Sequence, residues 1–324
     1  MAKLPRIQLS DLNPRSGGKP LARGGRGVIY QVSPKRKLSD QILQDGKYLL
    51  KKQRYSNATV NSDSIADHLD EIHKRLQGKF SYFRSRLALP LAIVEDKGKF
   101  LGYLMPEFDE GCYFNKTLFS AEVTQALQEV KIQLNSQSER KALSVPEIST
   151  STRFAILVDV LETITQLHEC GLVVGDISGS NLIIQDKATR KHSQRVIILD
   201  VDSFSYQGGK HPFGAESTIH WRSPEELKKP DYAPTKSSDV YKIGLLIRRI
   251  LHQNLNSGTG SFDIYKSKVA NKVLKELGGV EMANLVARAL SVDRNERPKA
   301  MHLAFQMRKT YESQIEKSNN IETR

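Results

Sequence analysis

VGDISGSNLII, residues 174–184, is the most informative stretch of this sequence, because it sets Asp176 and Asn181 between a long helix and a strand. The preceding run RFAILVDVLETITQLHEC has the apolar face of a helix, a Ser or Thr cap before it and Gly171 to end it. The later run VIILDVDSF starts as an apolar strand and reaches Asp200 where the strand ends. We therefore predict that the three polar side chains project from buried elements into a cleft.

Two carboxylates and one amide in this order suit phosphate chemistry. An Asp with an Asn is a common way to hold Mg²⁺, because water and phosphate oxygens complete the shell of the ion. With Asn181 and Asp200 on the metal, Asp176 is left to accept a proton from a hydroxyl group. Taken alone, each of these residues could equally be a loop former, so the rest of the chain has to supply the context.

A glycine cluster in the first third of the chain predicts a phosphate-binding hairpin. The run LARGGRGVIY contains Gly24, Gly25 and Gly27, which let backbone N–H groups approach a phosphate closely. The next strand, KYLLKKQR, offers Lys51 or Lys52 to the phosphates, and strand alternation allows only one of them to face the cleft. We prefer Lys51 and keep Lys52 as the rival.

The first third of the chain alternates short apolar strands with turns and contains one helix, SDSIADHLDEIHKRLQ. Four apolar side chains form one stripe of that helix, namely Ile65, Leu69, Ile72 and Leu76. From about residue 115 the pattern is mostly helical, and residues 120–134 are predicted to form a single helix. This order predicts an α+β fold with a small, mostly antiparallel β N-lobe carrying one helix and a larger, mostly α C-lobe.

Three further stretches, TIHWRSPE, SDVYKIG and DRNERP, follow in that order, and with them the chain resembles the eukaryotic-type protein kinase superfamily over about residues 19–305. The three resemble the end of the activation segment, the start of the central helix of the large lobe, and the approach to a late helix. The resemblance implies a bilobal protein-kinase-like fold and an ion pair between Glu225 and Arg297. The expected domains are an N-terminal arm at 1–18, an N-lobe at 19–108, a C-lobe at 109–312 and a polar tail at 313–324.

The resemblance also implies roles for individual residues. Asp176 would be the catalytic base, and Asn181 and Asp200 would hold magnesium. Lys51 would contact the α- and β-phosphates of ATP and pair with Glu71 on the predicted helix. The nucleotide would be bound by the hairpin residues Gly24, Gly25 and Gly27, by Leu21, Ile29 and Ile183 around adenine, by Met105 as gatekeeper, and by Glu107 with Phe108 as hinge.

The chain departs from the family pattern close to the catalytic aspartate. Gly175 stands where most members have Arg, so control through a phosphorylated activation loop is not expected in its usual form. Ser178 stands where Ser/Thr kinases usually have Lys, which removes a cation from the migrating phosphate; Arg23 or Arg26 could replace that cation, or both could be solvated. Asp202 replaces the glycine of Asp-Phe-Gly, and its carboxylate is expected to hydrogen-bond the backbone rather than join the metal.

The variants Val-Gly-Asp and Asp-Val-Asp-Ser-Phe resemble those of a divergent bacterial kinase subgroup. Its members can carry helix-hairpin-helix DNA-binding regions or occur with tellurite-resistance-type gene clusters. This sequence has no helix-hairpin-helix pattern of its own.

The composition of the chain indicates which cellular compartment and which partners to expect. The 324 residues carry a net charge of +13, and residues 1–108 hold 20 basic against 10 acidic side chains. This excess predicts an acidic partner or a nucleic acid at the basic N-lobe, or simply a soluble basic face. Cys112 and Cys170 are too few for a disulfide framework, which favours a reducing cytoplasm. No apolar run is long enough to span a membrane, so no membrane partner is expected.

The sequence thus predicts an ATP- and magnesium-dependent protein kinase that transfers the γ-phosphate to Ser/Thr hydroxyls of a protein substrate or of itself. The preference for Ser/Thr rests mainly on Thr218. The alternative is a pseudokinase, a nucleotide-binding or partner-binding module with little or no transfer, which the departures at Gly175, Ser178 and Asp202 favour. A metal-dependent hydrolase of another fold would explain the aspartates but not the Ser-Pro-Glu and Arg-Pro motifs.

Overall fold

The computed structural model of the chain divides into two compact units. The first unit comprises residues 1–108 and 200–214, and the second comprises residues 109–199 and 215–324. The residues that the structure describes are 3–25, 27–40, 42–54, 62–117, 123–135, 137–145, 147–186, 195–206, 212, 217–229, 232–252 and 268–322.

The strands and helices are numbered in chain order. They are β1 (Arg6–Gln8), β2 (Leu12–Pro14), β3 (Pro20–Arg23), β4 (Gly27–Pro34), β5 (Tyr48–Gln53), α1 (Ser62–Leu76), α2 (Phe80–Phe83), β6 (Ala92–Asp96), β7 (Lys99–Pro106), β8 (Tyr113–Thr117), β9 (Val123–Leu127), α3 (Val130–Gln133), α4 (Gln137–Ala142), α5 (Thr150–Glu169), β10 (Leu172–Val173), β11 (Leu182–Gln185), β12 (Arg195–Ile198), β13 (Ser205–Tyr206), α6 (Pro224–Lys228), α7 (Lys236–His252), α8 (Lys268–Ala289) and α9 (Ala300–Glu322).

One sheet of seven strands organises the described part of the first unit. Its order is β1-β6-β7-β5-β4-β2, with β3 also paired to β4, and every pairing is antiparallel except β1 with β6. Residues 1–18, which we expected to form an arm, instead supply two strands of this sheet. The reason is that Ile7 and Leu12 bury their side chains in the sheet core, next to Val94 and Val32.

Helix α1 packs as its sequence predicts. The four residues of the apolar stripe are all buried. The face that they form covers the sheet, since α1 contacts β7. The helix is also tied to the N-terminus of the chain, because the Asp70 carboxylate accepts hydrogen bonds from the Leu4 N–H at 2.9 Å and from both terminal nitrogens of Arg6.

The second unit is mainly helical. Helix α5 begins after Ser149, whose hydroxyl accepts from the Thr152 N–H, and it ends before Gly171, which has φ +74°. Helices α7 and α9 both contact α5, and α8 contacts α7 and α9. The fold class predicted from the sequence, a mostly antiparallel β unit with one long helix and a mostly α unit, is confirmed.

Two elements of the second unit differ from the prediction. The single helix expected at 120–134 is wrong, because β9 pairs with β8 and only the short α3 follows it. The polar segment at 313–322 continues α9 as a helix rather than forming a separate tail. No helix in the described ranges has the length and apolar character needed to cross a bilayer.

Candidate active site

Strand β5 determines which lysine enters the interior of the first unit. Its alternation buries Lys51 and leaves Lys52 exposed. The Lys51 Nζ donates to Asp202 Oδ1 at 2.7 Å and to Asp200 Oδ1 at 2.9 Å. Burial alone would lower the pKa of Lys51, but the charge of Asp202, with help from Tyr103 and Asp200, raises that pKa well above its ordinary value. Lys51 is therefore a charged group at neutral pH.

The expected ion pair between Lys51 and Glu71 is wrong. The Glu71 carboxylate instead lies 2.9 Å from Arg75 Nε and 3.2 Å from Lys74 Nζ, on the same helix. Glu71 is half-buried and lies beside the apolar stripe of α1. Side chains three and four positions later on a helix are neighbours, so Glu71 pairs with Lys74 and Arg75. The counter-charge of the buried lysine therefore comes from outside α1.

Asp202 supplies that counter-charge from a fully buried position. Its Oδ1 accepts from Lys51 and, at 2.8 Å, from the Tyr103 hydroxyl, while its Oδ2 accepts from Gln53 Nε2 at 2.9 Å. The expectation that this carboxylate would hydrogen-bond the backbone is therefore wrong. Burial alone would raise the pKa of Asp202, but the charge and hydrogen bond of Lys51, with the bonds from Gln53 and Tyr103, hold it at about 2.

Asp200 precedes a 3₁₀ turn at Val201–Ser203 and has left-handed backbone angles, φ 53° and ψ 46°. An aspartate tolerates this conformation better than most residues, although it remains unusual for any residue other than glycine. Its side chain is 45% exposed, and one of its oxygens accepts from Lys51. Asp200 thus has carboxylate surface that a cation could reach.

The glycine hairpin joins β3 to β4. The Gly24 N–H donates to the Gly27 carbonyl at 2.9 Å, which closes the turn. A Cβ on Gly27 would lie 3.0 Å from the Lys52 carbonyl oxygen and 3.2 Å from Lys51 Cγ, so the close approach of β4 to β5 favours glycine there. Gly25 has open space around its Cα among the described atoms.

The expected adenine-binding residues occupy both units. In the first unit Leu21 is exposed, Ile29 is half-buried and Met105 is buried near the end of β7. In the second unit Ile183 is fully buried in β11. Their roles at a nucleotide stay predictions.

The expected hinge begins at Glu107, directly after β7. The Glu107 N–H donates to the Lys47 carbonyl at 3.3 Å. Its carboxylate accepts from Gln31 Nε2 at 2.7 Å and pairs with Arg15. Phe108 follows as a half-buried residue. Arg15 and Gln31 thus hold the Glu107 side chain in place, and the hinge role of Glu107 and Phe108 stays a prediction.

In the second unit Asp176 and Asn181 form one hydrogen-bonded loop. The Asn181 Nδ2 donates to the Asp176 carbonyl and to Asp176 Oδ2, both at 2.9 Å. The other carboxylate oxygen, Oδ1, accepts from the N–H and the hydroxyl of Thr218, again at 2.9 Å each. Because the amide nitrogen of Asn181 is engaged, its carbonyl oxygen is the atom left for a cation. The expected base is therefore oriented from two sides.

Ser178 does not fit a group that meets a migrating phosphate. The residue is fully buried, and its hydroxyl has no hydrogen-bond partner among the described atoms. Of the two arginines proposed as substitutes, Arg23 is exposed at the end of β3. Arg26 lies outside the described residues.

A buried network that the sequence reasoning missed supports this loop. Asp239, at the start of α7, accepts from the Val174 and Gly175 N–H groups and from His168 Nε2, each at 2.9 Å. Gly175 has φ +76°, a conformation that an arginine there would adopt only with strain. Lys242, one turn along α7, donates to the Gly175 carbonyl. The signal available in the sequence was a lysine inside the otherwise apolar run VYKIGLLI.

The ion pair expected between Glu225 and Arg297 is present. The two guanidinium nitrogens lie 2.7 and 2.8 Å from the two carboxylate oxygens, which is a bidentate contact. Burial alone would raise the pKa of Glu225, but the Arg297 hydrogen bonds and charge lower it. This pair joins α6 to the segment before α9.

The first unit has an antiparallel sheet with a charged buried lysine, and the second has an Asp–Asn loop supported by helices. Together these features define a protein-kinase fold. A model of the protein tyrosine and serine/threonine kinase family matches residues 96–307, and the chain belongs to that family. The chain is also similar to the mitogen-activated protein kinase kinase kinase MST11 of Pyricularia oryzae, with 26% identity over 184 residues. That match covers 53% of this chain and 18% of the relative, so the chain spans less than a fifth of the length of MST11.

Proposed function

We propose that this chain is a protein kinase that uses ATP and Mg²⁺ to transfer the γ-phosphate to a Ser or Thr hydroxyl of a protein. The observation that carries the proposal is the Asp176 carboxylate, which is held by Asn181 on one oxygen and by Thr218 on the other. A carboxylate fixed in this way can accept the proton of an incoming hydroxyl and direct its oxygen at phosphorus. The family supplies the reaction class.

The donor set suits ATP with magnesium. Mg²⁺ prefers oxygen ligands and keeps several positions for water and phosphate oxygens, so it needs few protein groups. Asn181 has a side-chain carbonyl oxygen to offer, and Asp200 has an accessible carboxylate. Lys51 would bind the α- and β-phosphates, and the N–H groups of the β3–β4 hairpin would bind phosphate oxygens.

The acceptor class and the subgroup belong to the same proposal. The Thr218 hydroxyl hydrogen-bonds the proposed base, which supports Ser/Thr acceptors. MST11 is described as a kinase that acts on protein kinases, which is in line with a protein acceptor. The variants at Gly175 and Asp202 support a place in the divergent bacterial kinase subgroup.

A pseudokinase is the second candidate. Ser178 favours it, because the position that carries lysine in Ser/Thr kinases holds a fully buried hydroxyl here. Gly175 favours it too, because it has no guanidinium with which to bind a phosphorylated loop. In this reading the chain binds nucleotide or a partner protein and transfers no phosphate.

The first prediction tests transfer directly. Radiolabelled ATP and Mg²⁺ are supplied to wild type and Asp176→Asn, with the chain itself and with acidic and basic proteins as acceptors. Because Asp176→Asn removes the proposed base, we expect transfer to fall at least about 100-fold. Asp96→Asn is the matched control, since Asp96 is exposed beside the β6–β7 turn, and it should transfer at the wild-type rate.

The outcomes separate the two candidates. Equal transfer by Asp176→Asn and wild type would reject the kinase proposal. A rise in Tm with ATP but no turnover on any acceptor would favour the pseudokinase. Multiple turnover on any protein acceptor would remove the pseudokinase.

A further inference from the structure

A buried lysine that meets phosphate needs a fixed counter-charge, because its ammonium must stay charged and stay in place. The residue expected to supply it, Glu71, is engaged with Arg75 and Lys74 on the outer side of α1. No residue of α1 contacts the Lys51 ammonium among the hydrogen bonds and ion pairs of the described side chains. Among the described side chains, the carboxylates that hold the Lys51 ammonium therefore come from outside α1.

Asp202 is built for the same task from the other side. Its carboxylate is 0% exposed, and all three donors to it come from paired strands of the sheet. Lys51 and Gln53 are two apart on β5, so they share one face, and Tyr103 is the partner of Lys51 in the β5–β7 ladder. Because these strands hold the donors at fixed spacing, the carboxylate has one position that satisfies all of them.

Asp200 and Asp202 differ in exposure and in the number of their hydrogen bonds, and these differences suit them to different roles. The Asp200 side chain is 45% exposed and, among the described residues, accepts one hydrogen bond, from Lys51, so it can exchange that bond for a cation. Asp202 has no exposed surface and three donors, so it stays on Lys51 when Asp200 is drawn away. Without Asp202, a cation on Asp200 would leave the buried ammonium without a carboxylate.

We propose that Asp202 is the positioning residue for Lys51, in the role that the family resemblance assigned to Glu71. The inference rests on the proposed kinase function, because it specifies which carboxylate aims the phosphate-binding lysine. It follows that the segment 200–204 carries the carboxylate that determines whether Lys51 is in its working position, and α1 contacts this segment through His68, whose Nε2 lies 2.8 Å from the Phe204 carbonyl oxygen. Asp202 stands where the family pattern has glycine, and Glu71 does not contact Lys51. In this proposal the first difference compensates for the second.

The second prediction compares Asp202→Asn with Glu71→Gln, each a neutral substitution of similar shape. The first readout is the rate at which acetic anhydride acylates Lys51, followed by mass spectrometry with Lys52 as internal reference, in the absence of ATP. Without Asp202 the ammonium loses its 2.7 Å contact inside the sheet, so Lys51 should reach solvent more often and its labelling rate should rise about tenfold. Glu71→Gln is expected to leave that rate within about twofold of wild type, because the Glu71 carboxylate pairs with Lys74 and Arg75 and not with Lys51.

The second readout is kinetic. For Asp202→Asn we expect kcat/KM for ATP to fall at least about tenfold, since an unaligned lysine loses transition-state contacts. Glu71→Gln should retain kcat and KM within about twofold, because its carboxylate does not face Lys51. A purely structural role for Asp202 would change Tm and leave the labelling rate of Lys51 relative to Lys52 unchanged.

The labelling result is independent of phosphate transfer, so the two proposals can fail separately. A tenfold rise in labelling with an inactive wild type would retain the assignment of Asp202 and reject the kinase. Unchanged labelling in Asp202→Asn, with an active wild type, would overturn the assignment alone. If Asp202→Asn does not fold, Glu71→Gln still decides, because a change in Lys51 labelling there would return the role to Glu71 and no change would support Asp202.

Discussion

Lys242 is a buried cation that joins three parts of the second unit. Its side chain is 0% exposed, and its Nζ lies 2.7 Å from Glu226 Oε1 and also donates to the Gly175 carbonyl. The other oxygen of Glu226 accepts from the Ser223 N–H at 2.6 Å, which completes a capping box at α6. One lysine thus links α6, α7 and the loop that carries Asp176, which occupies the position next to Gly175.

The third prediction is that Lys242→Met lowers the free energy of unfolding of the second unit by about 3–5 kcal/mol, because it leaves the buried Glu226 without its cation. Trp221, the single tryptophan, lies in this unit, so its fluorescence in a urea titration reports the transition. Lys272→Met is the control. Its pair with Glu276 is 76% and 60% exposed, and the change should stay within about 0.5 kcal/mol. Equal losses in both variants would contradict the role of Lys242.

At the residue scale, side chains that belong to a local sequence pattern or a motif were predictable. Contacts between residues that are distant in sequence were not. Strand alternation predicted that only one of the two lysines of β5 faces inwards, and Lys51 is that lysine. The Glu225–Arg297 pair was predicted from the motifs TIHWRSPE and DRNERP. The partner of Lys51 could not be predicted, because Asp202 lies 151 positions away and its burial depends on strands that the local sequence does not encode.

At the scale of elements, the N-terminal strand β1 anchors α1. It pairs in parallel with β6, and from it Arg6 binds Asp70 through two nitrogens, at 2.7 and 3.0 Å. Burial alone would raise the pKa of Asp70, but the Arg6 hydrogen bonds and the Leu4 N–H lower it. Helix α1 is therefore fixed to the sheet near its middle, where the buried Asp70 lies next to Leu69 of the apolar stripe.

The fourth prediction is that Arg6→Ala loosens α1 while the sheet stays intact. Removing the guanidinium leaves Asp70 with the Leu4 N–H as its remaining donor among the described residues, and a half-satisfied buried group costs about 1–3 kcal/mol. Hydrogen exchange measured by mass spectrometry should therefore speed up in peptides covering 64–76. Arg36→Ala is the control, because Arg36 is 74% exposed and contacts Asp11 at 3.4 Å, and it should leave α1 protected. Equal protection of α1 in Arg6→Ala and wild type would show that β1 does not anchor the helix.

Local periodicity predicted some elements and misled at others. The apolar stripe of α1 comprises four side chains, and the helix predicted from it is confirmed. A long amphipathic pattern of this kind can bury all its apolar residues together only as a helix. Residues 123–127 also fit a helix, but they pair residue by residue with β8. A hairpin partner can override helical preference in so short a run, and the partner is not visible from the run itself.

At the scale of the whole molecule, the buried titratable groups limit stability at both ends of the pH range. Burial lowers the pKa of His68 and His73, so the unfolded chain takes up protons first and stability declines below about pH 6.5. Asp202 has a folded pKa of about 2, so its contribution is lost as pH falls from about 4 towards 2. On the alkaline side, the raised pKa values of Lys51 and Tyr103 mean that their contributions are lost as pH rises above their ordinary values.

The fifth prediction is a stability plateau between about pH 7 and pH 10 with a steep acid side that Asp202 shapes. The lowered pKa of Asp202, about 2 against an ordinary 3.8, corresponds to about 2 kcal/mol that disappears between about pH 4 and pH 2. Asp202→Asn should therefore be less stable at neutral pH but have a flatter dependence below pH 4. Urea denaturation followed by far-UV circular dichroism, with Trp221 fluorescence reporting the second unit separately, measures both. An equally steep decline in the two proteins below pH 4 would mean that other carboxylates govern the acid side and that the Lys51–Asp202 pair contributes little to folding.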